Sequence, residues 1–301
     1  MSEQIQLSRR EVMLGGASLV AATAAALSPL RFAQDVPDLD DFLQRHYKEL
    51  SADEKTRLIA RLKRKLKRKY KKDVEIKDPQ PIPGVEFAYM LNLQKCIGCR
   101  RCVHACANEN NLSRNPEMQY IRVLKVKKDR LSVEDADSHY EDEMVPDPDH
   151  FYMPVSCQQC RNPPCVKVCP VEATWQEKDG VVAIDYNWCI GCRYCEAACP
   201  YGARHFNWQE VTVPEPLLNP DMGLLTNRPR PQGVVEKCHF CLHRTREGKY
   251  PACLEVCPVG ARKFGNILDP ESEVSYILKH KRIFVLKEEL NTQPRFYYFF
   301  D

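Results

Sequence analysis

Much of what enzymes use is missing from this 301-residue chain. There is no Ser-His-Asp arrangement, no glycine-rich phosphate loop and no flavin fingerprint, and the eight histidines show no metal-ligand spacing. The residues therefore offer no place for bond-making chemistry, and no small-molecule substrate is expected. Outside residues 12–30, no segment is long and apolar enough to span a bilayer, and the aromatic stretch from Arg295 to Asp301 is far too short. Cysteine is absent everywhere except in four short stretches.

Those stretches hold all sixteen cysteines, four in each. The first is Cys96, Cys99, Cys102 and Cys106; the second is Cys157, Cys160, Cys165 and Cys169. The third is Cys189, Cys192, Cys195 and Cys199; the fourth is Cys238, Cys241, Cys253 and Cys257. The first and third have the C-x2-C-x2-C-x3-C run of bacterial ferredoxins, whose fourth thiolate ligates the other cluster of a pair. Proline follows Cys169, Cys199 and Cys257, completing the Cys-Pro ending. Three cysteines two residues apart on a tight loop can wrap three corners of one cube, while the fourth, expected to start a helix, points toward a neighbour. Gly98 and Gly191 precede the second cysteine and are expected to let the backbone approach a cluster closely. Four groups of four thiolates imply four [4Fe–4S] clusters, and hence a wire for electrons.

Zinc and disulfides are the competing explanations. Structural zinc uses paired C-x2-C motifs, but it needs neither a third cysteine two residues on nor the Cys-Pro ending. A disulfide framework suits an even cysteine count in an exported chain, but not this x2 clustering.

The N-terminus points to export. Ser8-Arg9-Arg10-Glu11-Val12-Met13 opens a charge-free stretch to Leu30 and resembles a twin-arginine signal, with Val12 where such signals prefer Phe or Leu. Such signals export folded proteins, which suits clusters built inside the cell. Ala22-Thr23-Ala24 and Ala24-Ala25-Ala26 both offer small-x-small cleavage sites, and retention as an anchor stays open. The expected location is periplasmic, peripheral to or anchored at the membrane.

Net charge is +3, but the charge is unevenly spread. Residues 55–72 hold eleven basic and no acidic side chains, so the remainder carries 33 basic (44 less eleven) against 41 acidic, a balance of −8. The segment 35–72 reads as a helix, with Leu58, Leu62, Leu66 and Tyr70 at i, i+4 spacing. Its basic face is either solvated or an electrostatic contact with anionic headgroups or an acidic partner. Nucleic acid is excluded as a partner, since an exported redox chain has no access to it and no binding fold accompanies the stripe.

Pro79, Pro81, Pro83 and Gly84 mark a break. The expected organisation is a signal or anchor over 1–33, a charged helical extension and linker over 34–83, and a cluster-binding domain over 84–301. The fold class is α+β, duplicated bacterial-ferredoxin-like domains binding four cubane clusters, with long insertions. Strands are expected at 87–93, 121–126 and 180–185, short helices after the last cysteine of each group, and an extended surface loop over 217–233.

The region from about residue 85 to 270 resembles the four-cluster iron–sulfur subunits of the dimethyl-sulfoxide-reductase superfamily. The resemblance rests on the order of spacings, with x4 in the second group and x11 in the fourth. It rests also on Cys96-Ile97-Gly98-Cys99-Arg100-Arg101-Cys102, Cys157-Gln158-Gln159-Cys160-Arg161-Asn162-Pro163-Pro164-Cys165 and Gly233-Val234-Val235-Glu236-Lys237-Cys238-His239-Phe240-Cys241. The resemblance implies that the first group pairs with the fourth and the second with the third. One cluster would then take Cys96, Cys99, Cys102 and Cys257, and its neighbour Cys238, Cys241, Cys253 and Cys106. The others would take Cys157, Cys160, Cys165 and Cys199, and Cys189, Cys192, Cys195 and Cys169. It further implies a polytopic quinone-interacting membrane subunit and a molybdopterin-type catalytic subunit or cytochrome as partners. A soluble periplasmic polyferredoxin shuttle is the alternative.

Overall fold

Ser51 starts the first helix. Its hydroxyl accepts from the Glu54 backbone N–H while the Glu54 carboxylate accepts from the Ser51 N–H, a reciprocal cap that fixes the start at Ala52. The helix Ala52–Tyr70 ends where Lys71 turns left-handed, at φ 55°. In a computed structural model of the chain, the described residues are 45–129, 132–133, 135–141 and 144–301. The expected signal and residues 35–44 of the expected helix lie outside them. Within them, Tyr47–Glu49 is a 3-10 turn, so the helix is shorter than the 35–72 suggested by its composition.

Its apolar face is buried. Leu58, Ile59, Leu62, Leu66 and Tyr70 pack with Tyr47, Trp175, Val211, Val213, Met222 and Leu225. Burying a leucine such as Leu66 contributes about 1.5–3 kcal/mol. Four basic side chains on the other face meet acids: Lys55 with Asp78, Lys63 with Glu75, Lys67 with Asp73 and Lys69 with Glu210. Residues 45–301 form one compact unit, to which this helix belongs.

The cysteine groups sit between short ladders. Strand Phe87–Asn92 feeds the first group and pairs antiparallel with Arg262–Asn266, which leaves the fourth. Strand Val182–Ile184 feeds the third group and pairs antiparallel with Thr174–Gln176, which leaves the second. Two further ladders join Arg122–Lys127 to His150–Val155 and His205–Phe206 to Val235–Glu236. Each of these also links the chain leaving one group to the chain feeding the next. Each group carries its helix before its fourth cysteine or around it, rather than after it: Arg101–Glu109, Pro164–Lys167, Tyr194–Ala197 and Ala252–Glu255. The reason is local in three of the four groups, because proline disfavours helical geometry in the residue before it, and that residue is the fourth cysteine. Helix Arg101–Glu109 packs on Ala252–Glu255, and Pro164–Lys167 on Tyr194–Ala197.

The aromatic C-terminus completes a four-stranded sheet. Phe296–Phe300 lies parallel to Phe87–Asn92 and antiparallel to Arg282–Phe284. Phe296 stacks on Tyr89 with ring centroids 4.9 Å apart, both buried in the main core. The segment 217–233 is not an extended surface loop. Asp221–Gly223 pairs parallel with Glu75–Lys77, and residues 222–228 are buried. Side chains replace regular pairing there: Asn227 bonds the backbone of Gly223, Asp221 and Glu109, and Arg230 meets Glu236 at 2.5 Å with no exposure on either side chain. Among the described residues, no helix is long and apolar enough to cross a membrane.

Candidate metal centres

All sixteen cysteines are free thiols, and the fold gathers them across sequence groups. One cavity is lined by Cys96, Cys99, Cys102 and Cys257. A second holds Cys157, Cys160, Cys165 and Cys199, and a third Cys169, Cys189, Cys192 and Cys195. Cys106 lies within electrostatic reach of Cys238, Cys241 and Cys253, and Asn110 Nδ2 lies 3.5 Å from the Cys106 sulfur and 3.8 Å from that of Cys241. In every set three cysteines come from one group and the fourth from another.

The sets form a line. Cys253 lies near Cys102, Cys238 near Cys157, and Cys195 near Cys165. The order is therefore the Cys96 set, the Cys106 set, the Cys157 set and the Cys189 set. At its far end Cys192 is exposed, and Ile190, Tyr194 and Trp208 are each more than 60% exposed around it.

The donor geometry fits a cubane better than one ion. Among the described residues, no three His, Cys, Asp or Glu side chains converge as ligands of a single metal. Instead each cavity encloses about 310–360 Å³ of space outside protein atoms, open mouth included. A zinc site would draw its four sulfurs to about 2.3 Å from one point. Burial, reinforced by neighbouring sulfurs, pushes the Cys160 thiol up to about 12. Cys106 and Cys241 are raised well above the ordinary thiol value for the same reasons. Burial raises Cys96 to about 11. Thiols packed this densely ionise only when a cationic group joins them, as a metal does for a coordinating thiol.

Basic donors face the sulfurs. Arg262 Nη2 lies 3.1 Å from the Cys102 sulfur, and Arg204 Nη2 lies 3.1 Å from that of Cys165. Arg204 Nη1 is buried and has no partner among the described residues, a donor left for a group that protein atoms do not supply. Tyr89 Oη lies 3.3 Å from the Cys253 sulfur. The sequence reading missed these residues. The signal was present, since Cys-Pro-x-Gly-Ala-Arg occurs at both 199–204 and 257–262. Gly98 and Gly191 are left-handed, at φ 73° and 71°. What a Cβ would meet is protein: the Tyr152 ring for Gly98 and the Gly233 carbonyl oxygen for Gly191, both well inside van der Waals contact. Of the aromatic residues near the cysteine groups, Phe240 is buried in the main core and Tyr201 among Cys157, Cys160 and Cys199. Tyr194 is exposed, and Trp175 packs under the long helix instead.

Comparison with known proteins fixes the family. A 4Fe-4S dicluster domain model matches residues 148–215 and 226–267, and a second with the same description matches 95–173. The menaquinone reductase iron–sulfur cluster-binding subunit of Nitratidesulfovibrio vulgaris is 40% identical over 71% of this chain and 88% of its own length. The chain belongs to the 4Fe–4S dicluster iron–sulfur subunits. Two dicluster matches and four sets of four cysteines make four [4Fe–4S] clusters. The Hdr-like menaquinol oxidoreductase iron–sulfur subunit 1 of Archaeoglobus fulgidus is 40% identical over 70% of this chain and 82% of its own. A selenate reductase subunit of Mesobacillus selenatarsenatis is 35% identical over 97% of this chain and 96% of its own. That last match takes in the long N-terminal helix as well as the cysteine groups.

Proposed function

We propose that this iron–sulfur subunit relays electrons between a polytopic quinone-interacting membrane subunit and a catalytic or cytochrome partner in a respiratory complex facing the periplasm. The observation that carries the reading is the line of four cysteine sets, each completed by a thiol from another group. Each cluster takes the set described above: Cys96, Cys99, Cys102 and Cys257; Cys238, Cys241, Cys253 and Cys106; Cys157, Cys160, Cys165 and Cys199; Cys189, Cys192, Cys195 and Cys169. The crossed fourth ligand holds the two clusters of each pair close, because the short helical turn between the third and fourth cysteine spans both. When bound, the clusters supply one-electron chemistry, and the chain supplies spacing, burial and donors that set their potentials.

The quinone link is supported by relatives named for menaquinone and menaquinol chemistry. The twin arginine at Arg9 and Arg10 supports export of the folded, loaded subunit. Exposed Ile190, Tyr194 and Trp208 beside Cys192 give one end of the wire a surface where a partner can exclude water.

Anaerobic affinity purification from detergent-solubilised membranes tests the assignment, with copurifying proteins identified by mass spectrometry. A polytopic membrane subunit together with a catalytic or haem subunit is the expected result. Recovery of the iron-loaded chain alone from the soluble periplasmic fraction would instead make it a free shuttle.

A further inference from the structure

Each of the three junctions along the line of cysteine sets contains one buried cation. Between the Cys96 and Cys106 sets stands Arg262, which touches Cys102 at 3.1 Å and Tyr89 Oη at 3.3 Å, and Tyr89 in turn touches Cys253. Between the Cys106 and Cys157 sets stands Lys237, with no solvent exposure, its Nζ 2.9 Å from the Cys238 carbonyl and Cys157 within electrostatic reach. Between the Cys157 and Cys189 sets stands Arg204, which touches Cys165 at 3.1 Å and has Cys195 within electrostatic reach. Arg204 and Arg262 are 2% and 4% exposed. They occupy the same place in the repeated Cys-Pro-x-Gly-Ala-Arg, so each cluster pair carries its own arginine.

We propose that Arg262, Lys237 and Arg204 are tuning residues, one per junction, each raising the reduction potentials of the two clusters that flank it. The inference rests on the ligand sets proposed above. A [4Fe–4S] cluster held by four thiolates is a net anion, and adding an electron makes it more so. In a low-dielectric interior, neighbouring anions repel strongly, and a fixed cation between them stabilises the reduced form of both. A buried charge without a partner is costly, so cations enclosed here need anionic neighbours; the two arginines touch sulfurs, and Lys237 has the Cys157 and Cys238 sulfurs within electrostatic reach. The outer two are guanidiniums, which stay charged and donate in a fixed fork.

The test is an EPR-monitored redox titration of the loaded full-length subunit, comparing Arg262→Gln, Lys237→Gln and Arg204→Gln with the unaltered chain. Each variant should lower the potentials of its two flanking clusters and leave the distant ones in place. The affected pair should move one step along the line from variant to variant. Unchanged potentials, or an equal fall in all four, would overturn the proposal. Arg262→Lys, Lys237→Arg and Arg204→Lys keep the charge, so they should load and retain most of each potential. A fall as large as charge removal is expected to produce would count against the idea equally, and these variants serve wherever a glutamine variant does not load. Iron and sulfide are counted first in the unaltered chain. Fewer than four clusters there would contradict the ligand sets rather than the role of the cations.

Discussion

The two pairs of cysteine sets are built on the same plan in different surroundings. The pair from the first and fourth groups is sunk in the main core, with Cys102, Cys106 and Cys253 buried in one cluster with Tyr89, Phe240, Phe264 and Leu242, and Cys241 buried as well. The pair from the second and third groups has only small apolar clusters around it and ends at exposed Cys192. In the first pair Arg262 bonds Cys102 directly and Tyr89 stands between it and Cys253, whereas in the second Arg204 bonds Cys165 and Thr174 with no tyrosine between. Spacing along the chain thus fixes which atoms can meet a cluster, while later packing fixes how wet and how charged its surroundings are. Burial and hydrogen bonds to sulfur both move potentials, so the two pairs should not be electronically equivalent.

Removing a ligand from each pair should give the largest contrast. Cys241→Ser should lose its cluster and destabilise the core, lowering both iron content and the yield of folded protein. Cys192→Ser should lose one cluster with the rest of the fold kept, as read by iron analysis and circular dichroism. Equal damage from the two would break the comparison. Next in size is the support under the second pair, because the long helix packs on Trp175 and Ala183 of its hairpin. Leu66→Ala should cost about 2–4 kcal/mol in denaturant unfolding, while an effect near zero would detach the helix from that pair.

The glycines differ in what blocks them. Gly98→Ala and Gly191→Ala should each destabilise by more than about 1 kcal/mol, from left-handed strain plus contact. Gly191→Ala should be the worse, since it meets a backbone carbonyl rather than a ring that can turn. A smaller loss, about 0.5–1.5 kcal/mol, is expected from Tyr89→Phe, with thermal unfolding as the check.

The smallest effect concerns the tie between the pairs. Glu86 meets Arg161, beside the second group, and Arg295, which also holds the Gln159, Cys160 and Gly180 carbonyls. Burial pushes the Glu86 carboxyl up, but Arg161 and Arg295 outweigh it and hold it below the ordinary value of 4.5. A depressed carboxylate stabilises the fold fully above its unfolded value, and that contribution fades as pH falls through the folded one. Glu86→Gln should therefore flatten the acid side of a stability–pH curve below about pH 4.5 and leave the neutral side parallel. An unchanged acid limb would remove Glu86 from the account.

The cluster loops were legible because their chemistry is local. Cysteine spacing, Cys-Pro endings and the strands before Cys96 and Cys189 all lie within a few residues of one another. The region 217–233 was not legible, because proline and asparagine read as loop whether they face water or, like Asn227, replace a ladder with side-chain bonds. The helix was seen as a basic stripe because charges dominate its composition. Its burial depends on Trp175, Val211 and Met222, more than a hundred residues away in sequence. Arg204 and Arg262 were visible as a repeat, but their meaning needed the fold to place each against a thiol from a different group.

The most direct measurement is the iron and acid-labile sulfide content of the anaerobically purified, full-length subunit. The account predicts four irons and four sulfides for each of the four cysteine sets, with zinc absent. Zinc in place of iron, or iron without matching sulfide, would contradict it.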